Sequence, residues 1–404
     1  MSARIRAGLV GAGFIGPWHV DALRRLGNVD VVALAGSRQD SAQAAADKLG
    51  IARAYGSYQA LLDDAEVDVV HIAAPNHLHH PVAMAAIARG KHVVCDKPLA
   101  NTAAQGRELL DAARAAGVFH AVTFNYRGNP LVQQARQMVA NASVGRPTFI
   151  HGRYLQDWLL HETDWSWRLE ADKSGPSSAL ADIGSHWCDL AQHVAGCRIV
   201  EVLAELGTTI PRRLKPAAGG GGTFGANAGQ EGEWVEMTME DLASVLLGFD
   251  NGARGVVSVG QVCAGHKNDL VLEVCGTRSS IKWRQEAQNE LWIGHRDRAN
   301  ELLQKDPSLM DPAVSDYARL PGGHQEAWAD AFGNLMRDIY TAIARRQEGA
   351  RMDEALPPTV ANFEDGLRAL NIVDAMLASA AQGGVWTRVE TCDVRRATSM
   401  RNLS

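Results

Sequence analysis

The chain is short of everything that would place it on nucleic acid, across a membrane or around a structural metal. Lys and Arg number 40 against 46 Asp and Glu, a net charge of −6, whereas a phosphate backbone calls for a basic field. No nucleic-acid partner is therefore expected, and Arg212-Arg213-Leu214-Lys215 and Arg395-Arg396 read as solvated surface. No apolar run reaches the roughly 18 residues that a membrane span needs. Apolar strand character begins at Ile5, so no cleavable signal peptide is expected. The six cysteines (Cys95, Cys188, Cys197, Cys263, Cys275, Cys392) form no C-x-x-C pair, so reduced thiols and a cytoplasmic protein are expected. His77, His79 and His80 lie close together but lack acid or thiol partners at usable spacing, so no metal is expected. An acid is also missing after the second strand. What remains is 46% hydrophobic and 21% charged over 404 residues, a globular chain long enough for two domains.

The most specific feature that is present is Gly11-Ala12-Gly13-Phe14-Ile15-Gly16, between an apolar strand and a helix over 17–26. Gly11 permits a tight turn, Gly13 lets a pyrophosphate approach the backbone, and Gly16 lets the helix pack close to the strand. Helix-start N–H groups then face the phosphates, where the helix dipole favours negative charge. Strands and helices alternate onward: strands 29–35, 54–55, 67–73, 92–95 and 118–124, with helices 41–49, 58–63, 81–88 and one opened by Thr102 and Gln105 as a capping box. This is the pattern of a Rossmann doubly wound parallel sheet, an α/β domain over 1–126.

Beyond Arg127 the texture changes. After a helix at 131–139, strand-like segments at 148–154, 199–206, 243–249, 253–259 and 270–275 follow without intervening helices. An α+β domain over 127–390 with a large, open, mostly antiparallel sheet is expected, covered on one face by helices near 178–195 and 325–347. Lys215 to Gly232, with four consecutive glycines, reads as a mobile low-complexity loop, and 391–404 as a tail.

Two further segments carry chemistry. Lys97, followed by Pro98, stands just past a strand's carboxyl end, where an open parallel sheet presents its ligand crevice. Asp182 and His186 are spaced i and i+4, the spacing of one helix face, with Ser185 and Asp189 likewise spaced. A carboxylate near an imidazole suits proton transfer, though a plain surface pair has the same spacing.

Taken in order, Gly11–Gly16 with His19, Ala74-Pro75-Asn76-His77-Leu78-His79, Gly90-Lys91-His92-Val93-Val94-Cys95-Asp96-Lys97-Pro98 and Asp182-x-x-x-His186 resemble the Gfo/Idh/MocA family of oxidoreductases. The resemblance covers nearly the whole chain. It implies catalytic roles for Lys97, Asp182 and His186, and an NAD(P) site drawing on Gly11, Gly13, Phe14, Ile15, Gly16, Pro75, Asn76, His79, Asp96 and Lys97. Asp96 stands where the family usually has glutamate, an acid one methylene shorter.

The tryptophan-rich stretch 152–168 is similar to the levoglucosan and L-glucose dehydrogenase subgroup, which acts on free or anhydro sugars. Indole faces such as Trp158 and Trp167 suit the C–H face of a pyranose, or else simply fill the domain interface. Arg153, Gln156, Asp157, His161 and Arg168 offer bonds to hydroxyls. Tyr126 joins the expected substrate site, and His324 either reaches the sugar or shapes a turn. At the adenosine end, Ser37 and Arg38 replace the usual acid, which suits a 2′-phosphate, yet Asp40 lies near and NAD stays acceptable.

The activity expected is oxidation of a hydroxyl on a cyclic sugar, anhydrosugar or polyol, with either Lys97 or His186 as base. An NAD-dependent glycosidase and a dinucleotide-sensing regulator share these glycines. A homo-oligomer, tetramer or dimer, is expected through the open sheet face.

Overall fold

Val-rich runs build the first sheet. In the computed structural model, which describes residues 4–217 and 231–391, these are β1 (Ile5–Val10), β2 (Val29–Ala35), β3 (Arg53–Tyr55), β4 (Val69–Ile72), β5 (His92–Cys95) and β6 (His120–Val122). All pair in parallel, in the order β3-β2-β1-β4-β5-β6. Between them lie α1 (Gly16–Leu26), α2 (Gln39–Leu49), α3 (Tyr58–Leu62), α4 (His79–Ala88) and α5 (Ala103–Ala116). The strand order reverses beside β1, so the crevice past β1 and β4 is the ligand position for such a sheet. The capping box forms by half. The Thr102 hydroxyl accepts from the Gln105 N–H at 3.3 Å, but the Gln105 side chain takes the Asn101 N–H at 3.2 Å.

The chain then adds α6 (Pro130–Ala140) and β7 (Pro147–Leu155), α7 (Ala171–Ser174), α8 (Ser185–Ala195) and β8 (Ile199–Gly207). After these come β9 (Arg212–Pro216), β10 (Gly232–Glu236), β11 (Leu242–Phe249), β12 (Arg254–Gly260) and β13 (Asp269–Gly276). It closes with β14 (Ser280–Arg284), β15 (Glu290–Gly294), β16 (Glu301–Gln304), α9 (Trp328–Gln347), α10 (Met352–Ala355), α11 (Phe363–Ala381) and β17 (Thr387–Arg388). The second sheet has nine strands in the order β16-β15-β14-β13-β7-β12-β11-β8-β17, and only the β7–β12 pairing is parallel. β9 and β10 pair separately as a ribbon. Lys215 and Gly232, the ends of the stretch expected to be a loop, therefore lie in paired strands; the four glycines between them, and residues 392–404, lie outside the described residues.

One expectation about the helices is corrected, and one helix was not expected. The helix near 325–347 does not cover the second sheet. Its side chains Phe332, Leu335, Ile339 and Ile343 join Ile5, Ala7, Leu23 and Val69, completing the core of the first sheet. The second sheet is covered instead by α6, α8 and α11, and α11 was not anticipated. It is announced by Asn362, whose side chain accepts from the Glu364 and Asp365 N–H groups while Asp365 takes the Asn362 N–H. The opposite face of the nine-stranded sheet leaves Phe149, Leu246 and Leu302 exposed.

Candidate active site

The glycine turn has the shape a pyrophosphate cradle requires. Gly11 sits at φ 95°, and a Cβ there would stand 2.5 Å from the Ala73 carbonyl oxygen. A Cβ on Gly16 would stand 2.5 Å from the Gly11 carbonyl oxygen, so a side chain would push α1 off its strand. A Cβ on Gly13 would meet nothing within 4 Å: the space over the turn is open to a ligand. No described side chain caps the start of α1, so among the described residues none competes with an anion for that helix end.

From this turn a cleft of about 970 Å3 runs past Ser37, Pro75, Asn76, Asp96 and Lys97 to Trp167, Arg168 and Asp182. A second, of about 750 Å3, continues over Phe14, Ile15, Tyr126, Gln156, Trp158, His161 and His186. Asp96, Lys97, Arg168 and Asp182 line both, so the three residues expected to be catalytic stand where the two meet or just beyond. A dinucleotide fits the first cleft by its open glycine turn and its length, and a polyhydroxylated ring fits the second by its density of hydrogen-bonding groups.

Lys97 leaves the end of β5 and reaches Asp182, its Nζ 2.8 Å from Oδ1 and 2.6 Å from the Asp182 carbonyl oxygen. Arg168 Nε donates to the same Oδ1 at 3.2 Å, and Gln261 Nε2 donates to Oδ2 at 2.9 Å. Burial alone would raise the Asp182 carboxyl, but Lys97 and Arg168 overcome it and hold it well below the usual carboxylate range. Asp182 is ionised. The turn that carries it, Leu180–Gly184, is a π-helical turn ahead of α8, a widened geometry frequent at functional sites. Buried Glu240 anchors it by accepting from the Ser177 hydroxyl and the Ser178 and Leu180 N–H groups.

His186 lies one turn on, against the rings of Tyr126 and Phe124. Its Nδ1 is buried without a partner among the described residues. Burial, and then the Lys97 charge, push its pKa well below the ordinary histidine value, so the imidazole is neutral at pH 7. Beside it runs a closed hydrogen-bond ring. Tyr154 donates to Asn268 Oδ1 at 2.6 Å, Asn268 Nδ2 donates to the Tyr126 oxygen at 3.1 Å, and Tyr126 and Tyr154 are 2.7 Å apart. The Tyr126 proton must therefore go to Tyr154. Gln156 joins through Asn268 at 3.0 Å and accepts from Trp158 at 2.8 Å.

Four expected site residues are placed elsewhere. Arg153 points to the opposite face of β7 from Tyr154, as strand alternation requires, and pairs with Asp269 at 2.7 Å. His324 is exposed in the turn before α9, 3.4 Å from the Gly322 carbonyl, and lines neither cleft. His79 is buried behind the crevice, its ring nitrogens 2.7 and 2.8 Å from the Pro98 and Ala74 carbonyls; it ties the two turns together. Arg38 is exposed and lies outside the cleft lining, which takes Ser37 and Ser41 instead. Trp167 lines the first cleft and not the second, with Arg168 stacked on its ring at 4.6 Å. Asp96 accepts from the Thr123 hydroxyl at 2.5 Å, so the shorter acid still finds a partner. The sequence reading missed Asn268, Gln261, Tyr154, Trp18, Trp328 and Phe332; β7 has apolar residues on both faces, so alternation did not single out Tyr154, and nothing local marked the others.

Residues 5–124 match the family model described as oxidoreductase family, NAD-binding Rossmann fold, and 132–282 match the GFO/IDH/MocA C-terminal domain. The chain belongs to the Gfo/Idh/MocA oxidoreductase family. It is 33% identical over 298 residues to levoglucosan dehydrogenase of Pseudarthrobacter phenanthrenivorans, covering 72% of this chain and 76% of that one. Among solved structures, a levoglucosan dehydrogenase in complex with NADH and L-sorbose superposes with a TM-score of 0.85 at 29% identity, over 96% of this chain and 99% of that one. An inositol dehydrogenase homologue from Azotobacter vinelandii, complexed with NAD+, gives 0.83 at 25% identity, over 96% and 98%. This family member is thus an oxidoreductase with an NAD-binding Rossmann domain, an α/β sheet followed by a mixed, mostly antiparallel one. Among its described residues no helix is long and apolar enough to cross a membrane.

Proposed function

We propose that this chain is an NAD(P)-dependent dehydrogenase that oxidises a hydroxyl of a cyclic sugar, anhydrosugar or polyol to a ketone. The dinucleotide occupies the cleft of 1–126 and the sugar the cleft shared with 127–390. The observation that carries the reading is the meeting of Lys97, Asp182 and His186 at the join of the two clefts. A bound nicotinamide supplies the hydride acceptor.

The division of labour between Lys97 and His186 follows from their bonding. Lys97 donates two hydrogen bonds to Asp182, so its Nζ stands at the join of the clefts as a hydrogen-bond donor. His186 is neutral, and with Nδ1 buried, its Nε2 is the ring nitrogen open to a substrate hydroxyl. His186 takes the hydroxyl proton, and Lys97 stabilises the alkoxide that forms. Asp182 stays charged throughout, orienting Lys97 and accepting from a sugar hydroxyl. Gln156, held by Asn268 and Trp158, and His161 bind further hydroxyls, and Arg168 braces Asp182 from the other side.

The test is a steady-state screen of purified protein against sugars, anhydrosugars and inositols, with NAD and NADP separately. Reduction of either cofactor by at least one cyclic polyol is expected, and loss of that activity in His186→Ala. A protein that binds dinucleotide but reduces none across the panel contradicts the reading.

A further inference from the structure

At the far end of α8 from His186, outside both clefts, four arginines and a histidine surround a pocket of about 240 Å3. Arg127, Arg136, Arg198, Arg368 and His193 line it, with two carboxylates, Asp189 and Asp365, in its wall. Both acids are already engaged. Arg127 grips Asp189 at 2.8 and 2.5 Å, and Asp365 lies 3.6 Å from Arg127 and 3.0 Å from Arg368.

Arg136 is different. It is half-buried on α6 and makes no hydrogen bond or ion pair with any described residue. Burial, with Arg127 adding repulsion, lowers its pKa. A half-buried guanidinium beside another cation is costly unless an anion accompanies it.

His193 supplies a second idle donor. Gln133 Nε2 lies 2.5 Å from the Arg127 carbonyl oxygen, which fixes that atom as the amide NH2. The same NH2 is 2.9 Å from His193 Nε2, so Nε2 accepts and the ring proton sits on Nδ1. No described residue accepts from that N–H. The carbonyl end of α8, capped at Gly196, opposes an anion with about half a unit charge, and Arg368 is shared between Asp365 and Glu364; against these stand the Arg136 guanidinium and the His193 Nδ1–H.

We propose that this pocket binds a tetrahedral oxyanion of phosphate chemistry, held by the Arg136 guanidinium and the His193 Nδ1–H, with Arg198 and Arg368 around it. Guanidinium donors match the oxygen geometry of such an anion. The site stands apart from the sugar and dinucleotide clefts, so it does not depend on the reaction proposed above.

Isothermal titration of the full chain with inorganic phosphate, ionic strength held constant with chloride, tests it. Saturable binding is expected, with a melting temperature that rises with phosphate beyond any effect of chloride. Arg136→Gln weakens phosphate binding by about tenfold or more, and Arg136→Lys recovers part of the loss. Phosphate held on the glycine turn would survive Arg136→Gln unchanged, so wild-type affinity in that variant overturns the proposal, as does the absence of saturable binding. Should Arg136→Gln melt early in chloride, Arg198→Gln is read by the same titration against the same two outcomes. A parallel titration with glucose 6-phosphate, in wild type and Arg136→Gln, identifies the source: binding tighter than inorganic phosphate that Arg136→Gln removes assigns a phosphate monoester, and equal or weaker Arg136-dependent binding assigns the free ion.

Discussion

Lys97 holds Asp182 twice, its Nζ 2.8 Å from the carboxylate and 2.6 Å from the carbonyl oxygen of the same residue. The carboxyl end of β5 and the π-helical turn ahead of α8 are thereby fixed to each other at the point where the clefts join. The ammonium and the carboxylate need no rearrangement when a sugar enters, which is what electrostatic stabilisation of a forming alkoxide requires.

Lys97→Met tests that arrangement. Turnover is expected to fall by about 10³-fold, while dinucleotide affinity, which rests mainly on the glycine turn, changes little. Fluorescence titration of cofactor binding beside steady-state rates checks both; near-normal turnover removes Lys97 from the mechanism.

Acidification should unfold the protein early. Burial lowers the pKa of His19 to about 4, and burial with Arg114 lowers that of His120 to about 3. His79 and His186 shift the same way. Below the ordinary histidine value of about 6.5 the unfolded chain binds protons that the folded one refuses, so stability rises with pH across that window and is lost as pH falls from about 6.5 towards 4. Each such histidine adds about 1.4 kcal/mol per pH unit. Asp182 acts lower down: its depressed pKa adds stability present above the unfolded carboxyl value, lost only as pH falls through its folded one. Urea melts at pH 7, 6 and 5 check the histidine slope. His120→Asn, which can still accept the Phe363 N–H that His120 takes at 3.1 Å, should make it shallower. A midpoint independent of pH down to 5 contradicts the assignment.

How much of this was legible differs between the two halves. Gly11, Gly13 and Gly16 could be assigned from spacing alone because each answers a local steric demand. Lys97 was legible because a strand end in a parallel sheet is a known address. Arg153 and Tyr154 cannot share a face of β7, and with Phe149 and Leu155 on one face against Ile150 and Tyr154 on the other, alternation left open which of them turned inward. Asn268 and Gln261 could not have been found, since they reach Tyr154 and Asp182 across strand pairings that no local pattern announces. The role of α9 was hidden likewise, its partners Ile5 and Leu23 lying at the other end of the chain.

Arg38→Ala should weaken NADP about tenfold more than NAD. Arg38 lies outside the cleft lining but is exposed next to Ser37, which lines it, and its carbonyl accepts from the Ser41 hydroxyl at 3.0 Å. Binding of both cofactors to wild type and variant decides it; equal losses, or a wild type that refuses NADP, give Arg38 another role.

The uncovered sheet face predicts self-association. Phe149, Leu246 and Leu302 stand exposed on three strands of one sheet, and a second copy is the simplest cover for such a surface. Light scattering at low micromolar concentration should give a tetramer or a dimer, and Leu246→Glu should lower the mass. A mass near the 43.5 kDa of one chain contradicts this.

The central claim is net hydride transfer from a sugar carbon, and a C-deuterated sugar tests it most directly. The most active substrate of the screen, deuterated at every carbon, is incubated with oxidised cofactor, and the reduced cofactor and the sugar product are analysed by mass spectrometry. The account predicts one deuterium in the reduced nicotinamide for each ketone formed. Hydrolysis of a glycoside with no net reduced cofactor, or deuterium lost to water without labelling the nicotinamide, would contradict it.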